Sequence, residues 1–202
     1  MRITHVFFDV GGVLGTNGWD HEQRANAAET FGLDATDLTE RHDSAVTAWE
    51  TGGMSLDEYL DCTVFYRARP FSRGDFRAFM LSQSVAFPDT IALARDLAQT
   101  GRYRLMTINN ESAELNTHRL QAFGLRDLFV TFFTSCWLGV RKPSPQIYER
   151  ALAMSQADSG ATVFIDDREP NLEPARSLGM STILYQDAPR LRRDLTALAV
   201  AT

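Results

Sequence analysis

The chain has 202 residues, of which 44% are hydrophobic and 23% charged; this is typical of a globular domain, or of one core with a small insertion. Its net charge of −6 and its scattered basic residues argue against a general nucleic-acid-binding surface. No apolar run approaches the roughly 18 residues of a membrane span, and the opening residues lack the pattern of a signal peptide. We therefore expect a cytoplasmic protein with no nucleic-acid or membrane partner, and the sequence does not predict its oligomeric state.

The first strand and a helical stretch make up the N-terminal part of the chain. Residues Ile3 to Phe8 form a short apolar run that ends before Gly11 and Gly12, which predicts a buried strand. No strong strand signal follows between about residues 19 and 84. Four helices are predicted there instead: Asp20–Phe31, Asp34–Glu50, a third opened by the Ser55-Leu56-Asp57-Glu58 capping box, and Ser72–Gln83.

Strands and helices alternate after Phe87. The predicted helices are Pro88–Thr100, Ser112–Phe123, Pro145–Ser155, Pro170–Leu178 and Leu191–Ala199, and the predicted strands are Tyr103–Ile108, Leu128–Phe133, Thr162–Ile165 and Ser181–Tyr185. This alternation predicts an α/β fold, a doubly wound, Rossmann-like parallel sheet. Residues 1–15 and 88–202 would form this core, and residues 16–87 would be a helical subdomain inserted over the sheet.

The two cysteines, Cys62 and Cys136, lie far apart in the chain and lack the spacing of a zinc site. We interpret them as two buried free thiols.

Polar residues follow four of the predicted strands. Asp9 follows the first, Asn109-Asn110-Glu111 the second, Arg141-Lys142 comes soon after the third, and Asp166-Asp167 follow the fourth. Ligands of open α/β sheets bind at the carboxyl ends of the strands, so these residues would share one rim. Three carboxylates suit Mg²⁺, and a lysine could hold a phosphate or reduce the repulsion between the acids. One Asp after a strand is usually a turn or cap residue, but four such positions are harder to explain in that way.

The pattern resembles the haloacid dehalogenase superfamily. Phe8-Asp9-Val10-Gly11-Gly12-Val13-Leu14 is similar to the family's first motif, and Arg141-Lys142-Pro143 to its lysine motif. Phe164-Ile165-Asp166-Asp167, with Asn171-Leu172 and Ala175-Arg176 after it, is similar to the acidic fourth motif. The resemblance covers the whole chain and implies that the helical insertion is the family's small cap.

The resemblance also implies a Mg²⁺-dependent phosphatase acting on a small phosphorylated metabolite, such as a sugar phosphate. Asp9 would attack phosphorus and form an aspartyl-phosphate, which water would hydrolyse. Mg²⁺ would be bound by Asp9, the carbonyl of Gly11 and Asp167, with Asp166 close by, and Lys142 would neutralise the transferring group. The N–H groups around Gly11 and Gly12 would donate to phosphate oxygens.

Two positions depart from the family pattern. Phosphatases of this family usually carry a second Asp, the general acid and base, where this chain has Gly11. Asn109, followed by Asn110, stands where a phosphate-binding Ser or Thr is usual, although an amide can still donate a hydrogen bond. Thr107 would be the alternative if the strand ended earlier, but its place in the strand indicates a buried residue.

Three residues are candidates for the missing acid: Glu111, Asp20 and His21. A leaving group of low pKa would need less protonation. Trp19, Arg24, Trp49, Tyr59 and Tyr66 are candidates to line the pocket from the cap, although most aromatic residues of such helices are core residues. Hinges are expected near Thr16 and Phe87.

Two other functions remain open. The 2-haloacid dehalogenases of the family also lack the second Asp, but they use no metal and typically have Ser-Asn in place of the acidic pair, so Asp166 and Asp167 favour a metal enzyme. Alternatively, Gly11 and Asn109 would suit a degenerate member that binds a ligand without turnover.

Overall fold

Five strands form one parallel sheet in the computed structural model, which describes residues 2–201. The strands are β1 (His5–Phe8), β2 (Arg104–Asn109), β3 (Thr131–Thr134), β4 (Thr162–Asp166) and β5 (Ser181–Leu184). Their order is β3-β2-β1-β4-β5, and every neighbouring pair is parallel. The predicted doubly wound α/β fold is confirmed. The chain reverses direction across the sheet between β1 and β4, the place where such folds bind ligands.

Six helices lie in the part of the described chain where strands and helices alternate. They are α5 (Pro88–Gln99), α6 (Ala113–Ala122), α7 (Ser135–Leu138), α8 (Pro145–Ser155), α9 (Glu169–Ser177) and α10 (Ala188–Ala197). Alternate residues of β1 face opposite layers: Val6 and Phe8 pack with residues of α5 and α10, while Phe7 packs with residues of α8 and α9. The period of two in a strand thus produces a sheet buried on both faces.

Four further helices lie between β1 and α5: α1 (His21–Phe31), α2 (Ala35–Glu50), α3 (Leu56–Thr63) and α4 (Arg73–Ser82). Ser55 and Glu58 form the predicted capping box at the start of α3. These helices enclose their own hydrophobic cluster, which includes Trp49, Tyr59 and Phe76. We call α1–α4 the four-helix segment. Its assignment as a separate cap, residues 16–87, stays a prediction.

The two chain segments that join the four-helix segment to the sheet run side by side. The Thr16 N–H donates to the Val85 carbonyl at 2.8 Å, and the Phe87 N–H donates to the Leu14 carbonyl at 2.9 Å. Arg119 of α6 ties both segments together, because it donates to the Thr16 carbonyl at 2.7 Å and to the Ser84 hydroxyl at 3.2 Å. The predicted hinge regions therefore share one buried guanidinium.

Several predicted boundaries were wrong. β3 begins at Thr131 rather than Leu128, because a 3₁₀ helix at Leu125–Asp127 precedes it and binds the next two N–H groups. α7 was not predicted, since four residues carry no periodic signal.

No helix among the residues described is long and apolar enough to span a membrane.

The burial predicted for the cysteines was also wrong. Both thiols are free, as predicted, but Cys62 is exposed and Cys136 is half-buried. The residues of α3 that face the core include Leu60 and Thr63, and Cys62 does not lie on that face. Its thiol is therefore exposed to solvent.

Candidate active site

Asp9 is the first residue after β1, and both of its carboxylate oxygens have partners. Oδ1 accepts from the N–H of Val10 at 2.7 Å, and Oδ2 lies 2.8 Å from Nζ of Lys142. The residue is only 7% exposed. Burial raises the pKa of Asp9, and the charge of Lys142 offsets part of that rise. The carboxylate is held in one orientation at the end of the central strand.

Lys142 bridges two acids at the carboxyl edge of the sheet. Its Nζ lies 2.8 Å from Asp9 and 2.6 Å from Oδ2 of Asp166. Asn110 holds the lysine backbone, because its Oδ1 accepts from the Lys142 N–H at 2.8 Å and its Nδ2 donates to the Lys142 carbonyl at 2.9 Å. Burial alone would lower the pKa of Lys142, but the two carboxylates raise it above its usual value, so the ammonium stays charged.

Asp166 and Asp167 differ in how their oxygens are bound. Asp166 is fully buried and accepts from Lys142, from the N–H of Arg168 at 2.8 Å, and from Nδ2 of Asn171 at 3.0 and 3.1 Å. Oδ1 of Asp167 is buried and has no hydrogen-bond partner. Burial and the charge of Asp166 raise the pKa of Asp167. One carboxylate is therefore satisfied within the protein, and its neighbour is not.

These acids fit a divalent cation. One oxygen from each of Asp9, Asp166 and Asp167 lies within 4.8 Å of the other two. Hard carboxylate oxygens are the ligands of Mg²⁺, and a cation would engage the unpartnered oxygen of Asp167. A Cβ at Gly12, where φ is +76°, would lie 2.2 Å from Oδ2 of Asp167. The missing side chain thus leaves room for that carboxylate.

The N–H of Gly12 already donates to the Gly15 carbonyl at 2.7 Å. Donation from Gly12 to a phosphate would require this hydrogen bond to break.

The space beside Gly11 is filled by other polar groups. A Cβ at this position would lie 3.1 Å from Oδ1 of Asn17 and 3.4 Å from Nη1 of Arg119. The same Nη1 is 3.6 Å from Oε2 of Glu111. An amide and a guanidinium backed by a carboxylate therefore lie where the side chain of a second Asp would begin.

The three candidates for the missing acid have different surroundings. Glu111 is buried, and burial raises its pKa to about 7, although Arg119 opposes the rise. Asp20 accepts from the first N–H of α1 and pairs with Arg168. The side chain of His21 is 86% exposed. Glu111 is the candidate whose environment best suits a proton donor near neutral pH.

A cavity of ≈ 290 Å³ lies between the sheet edge and the four-helix segment. Asp9, Gly11, Asn110, Glu111, Arg119 and Lys142 line it from the sheet side, and Trp19, Arg24, His42, Trp49 and Glu50 from the opposite side. Three of the five predicted pocket residues therefore line it. Tyr59 does not line the cavity and packs in the hydrophobic cluster of the four-helix segment. The Tyr66 hydroxyl donates to Asp37, away from the cavity. His42 was missed, although it shares the buried face of α2 with Trp49, seven residues on.

Known proteins resemble this chain along most of its length. A family model for haloacid dehalogenase-like hydrolases matches residues 3–179. The chain belongs to this family. A bifunctional epoxide hydrolase 2 from Sus scrofa is 26% identical over 96% of the chain, but the chain spans only 38% of that longer protein. A flavin mononucleotide hydrolase from Arabidopsis thaliana is 34% identical over 34% of this chain and 28% of its own length.

Solved structures share the fold of this haloacid dehalogenase-like hydrolase. A family enzyme from Bacteroides thetaiotaomicron, solved with magnesium and inorganic phosphate, has a TM-score of 0.80 at 23% identity over 94% of this chain and 98% of its own. An L-2-haloacid dehalogenase has a TM-score of 0.68 at 19% identity over 96% of this chain and 99% of its own. At these identities the likeness is one of fold alone.

Asn109 lies apart from the cavity in this hydrolase. Its Oδ1 accepts from the hydroxyls of Thr107 at 3.3 Å and Thr134 at 3.1 Å, and its Nδ2 donates to Asn116 at 3.1 Å. These bonds occupy the amide inside the sheet edge, so a contact between Asn109 and substrate stays a prediction. Thr107 is fully buried in β2, in keeping with its interpretation as a strand residue.

Proposed function

We propose that this hydrolase is a Mg²⁺-dependent phosphatase of a small phosphorylated metabolite, with a sugar phosphate among the candidate substrates. The observation that carries the proposal is the pairing of a buried, lysine-held Asp9 with an Asp167 oxygen that lacks a partner. A nucleophilic carboxylate beside a cation site is the arrangement that phosphoryl transfer to an aspartate needs.

The chemistry assigned to the side chains has two steps. The Asp9 carboxylate attacks phosphorus; a P–O bond to Asp9 forms, and the bond to the leaving oxygen breaks with its electron pair on that oxygen. Water then attacks the phosphorus of the aspartyl-phosphate, phosphate leaves, and the Asp9 carboxylate is restored. Lys142 offsets negative charge on the transferring group throughout, and we assign Asp166 the role of positioning this lysine, because all its oxygens are already engaged.

Asp9, the carbonyl of Gly11 and Asp167 would hold Mg²⁺, with Asp166 beside them. When bound, the ion supplies positive charge that lowers the repulsion between Asp9 and the phosphoryl oxygens. Lys142 is engaged by Asp9 and Asp166, Oδ1 of Asp167 has no hydrogen-bond partner, and Oδ2 of Asp167 has only the half-exposed Arg168 at 3.9 Å. This arrangement favours a metal-dependent site over a metal-free one.

We assign the four-helix segment the role of a cap that excludes water while the substrate is bound. Its contribution to the ≈ 290 Å³ cavity supports this role, and so do the paired connections at Thr16 and Val85. A cavity of this size matches a small metabolite.

Phosphate release from a panel of phosphorylated metabolites tests the proposal. We expect release that requires Mg²⁺, stops with a chelator, and is abolished in Asp9→Asn. Asp96→Asn is the matched control, because Asp96 pairs with Arg192 on the surface. Metal-free chloride release from a 2-chloroacid would identify a dehalogenase instead, and binding of phosphate with no turnover on any substrate would indicate the degenerate alternative.

A further inference from the structure

Arg24, in the first turns of α1, is a buried cation that lines the cavity. It is 7% exposed, and its Nη1 donates to the Trp19 carbonyl at 2.9 Å. Its Nε is buried and has no hydrogen-bond partner. Within residues 2–201, no carboxylate lies within 4.0 Å of this guanidinium. A buried arginine is normally paired, so an acceptor that fits Arg24 is missing.

The other cations of this cavity all have carboxylate partners. The pairs are Arg119 with Glu111, Arg141 with Glu50, Arg168 with Asp20, and Lys142 with Asp9 and Asp166. Arg24 therefore differs from its neighbours in the same space, and the difference cannot be attributed to a shortage of acids around the cavity.

Trp49 supplies a second donor without a partner. Its indole Nε1 is buried and unbonded, and the residue is 2% exposed and lines the cavity. The ring stacks on Tyr59, with centroids 4.0 Å apart and planes at 15°, so its orientation is held by packing. Unpaired buried donors are rare in native proteins, and two of them along one cavity suggest a common ligand.

His42 adds a third donor. Nε1 of Trp19 donates to the hydroxyl of Tyr59 at 2.8 Å, and Nδ1 of His42 lies 2.8 Å from the same hydroxyl. We assign the Tyr59 proton to the contact with Nδ1, because this hydroxyl makes no other hydrogen bond among the described residues. Burial and the charge of Arg24 lower the pKa of His42 to about 4, so the imidazole is neutral. A neutral ring that accepts at Nδ1 carries its proton at Nε2. The side chain therefore offers an N–H donor at the cavity.

We propose that Arg24, Trp49 and His42 bind a second oxyanion of the substrate, a carboxylate or a second phosphate, while the first phosphate meets Asp9. The three side chains provide a cation and N–H donors, and a planar guanidinium matches the paired oxygens of such groups. The inference rests on the proposed function and narrows its substrate class to phosphorylated metabolites with a second acidic group.

Binding of phosphonates tests this site without turnover. Calorimetry with Mg²⁺ present would compare ω-carboxyalkylphosphonates of increasing length with alkylphosphonates of the same lengths. At the length that spans the cavity, we expect the carboxylated probe to bind at least tenfold more tightly. A parallel series of α,ω-bisphosphonates separates a carboxylate site from a phosphate site by which series binds more tightly.

Variants test whether Arg24 and Trp49 cause this selectivity. In Arg24→Met the two series should bind within about twofold of each other, while the alkylphosphonates keep their wild-type affinity. Trp49→Phe keeps the ring and removes only the indole donor, so it should lose part of the selectivity even if Arg24→Met folds poorly. Arg77→Met is the matched control, because Arg77 is a half-exposed arginine of α4 that pairs with Asp57 and does not line the cavity.

Each outcome decides between the two proposals. Equal affinity for both series at every length in the wild type, or selectivity that survives in both Arg24→Met and Trp49→Phe, would overturn the oxyanion site. Selective binding without phosphate release from any metabolite would leave the oxyanion site in place and contradict the phosphatase. The absence of binding of every probe would contradict both.

Discussion

The two walls of the cavity differ in how their buried polar and charged groups are paired. On the sheet wall, Lys142 bridges Asp9 and Asp166, and each of these groups is held by further hydrogen bonds. On the wall formed by the four-helix segment, Arg24 and Trp49 are buried with donors that have no acceptor. The charged groups of the sheet wall are therefore paired, whereas the helical wall keeps two donors, on Arg24 and Trp49, without a partner.

This difference indicates a division of labour. The sheet wall is organised before substrate arrives, as expected of groups that perform chemistry in one fixed geometry. Under the proposed oxyanion site, a ligand would complete the helical wall, as expected of groups that select a substrate. Substitutions of single residues test this difference between the two walls.

Replacing Lys142 should have the largest effect. In Lys142→Met two buried carboxylates lose their shared partner, which should lower the free energy of unfolding by about 3–5 kcal/mol and the rate of phosphate release by about 10²–10³. Denaturant unfolding and phosphate release measure the two effects. Arg190→Met is the control, because the exposed i,i+4 pair of Arg190 with Asp194 in α10 should contribute about 1 kcal/mol or less. Equal losses in the two variants would contradict a special role for the sheet wall.

Restoring an acid at position 11 should increase activity. Gly11→Asp places a carboxyl group beside Asn17 and Arg119, and we expect phosphate release from alkyl phosphates to rise about 10²-fold, the lower range of general acid catalysis. Aryl phosphates with good leaving groups should gain far less. Gly11→Asn has nearly the same size and no acidic proton, so a similar gain in that variant would show that the missing acid is not the limiting factor.

Asp167 and Asp166 should respond differently to removal of their charge. Asp167→Asn should weaken Mg²⁺ binding by roughly tenfold or more, because even the loss of a group that contacts only a metal ligand has an effect of that size. It should change the stability of the metal-free protein little, because Oδ1 of Asp167 has no partner and Oδ2 has only the half-exposed Arg168 at 3.9 Å. Asp166→Asn should destabilise the metal-free protein, since it removes a partner of Lys142. Calorimetric Mg²⁺ titration and thermal unfolding in a chelator distinguish the two. The reverse ranking of metal-free stabilities would contradict the assignment.

The neutral state of His42 predicts a smaller, pH-dependent effect. Its pKa is lowered to about 4 in the folded chain, so only the unfolded chain takes up a proton near its ordinary pKa of about 6.5. Stability attributable to His42 is therefore complete above pH 6.5 and falls on acidification, by about 1 kcal/mol between pH 7 and pH 5.5. Unfolding of His42→Asn should lack this component, whereas His21→Asn, an exposed control, should retain it. Identical pH profiles for His42→Asn and the wild type would contradict a neutral His42.

Local sequence was sufficient for most of the fold. The alternation of Val6, Phe7 and Phe8 between two layers, and the capping box at Ser55, depend on neighbours in the chain. Strand ends marked by polar residues were also predictable, because the carboxyl ends of parallel strands meet at one edge. The sequence therefore predicted that Asp9, Lys142, Asp166 and Asp167 share one edge of the sheet, and the structure brings them together there.

Only the tertiary structure decided how these residues are paired. Nothing local indicates that Asn110 would hold the backbone of Lys142, that Asn109 would turn into the sheet edge, or that Arg119 would lie beside Gly11. The same holds for Arg24: the sequence made it a candidate to line the pocket, but only packing shows that it is removed from water without a counter-ion. Periodicity determines which face of an element is buried, because it depends on backbone geometry. The partner that each buried polar group meets depends on the packing of distant segments, and in this protein that packing leaves the donors of Arg24 and Trp49 on the helical wall without a partner.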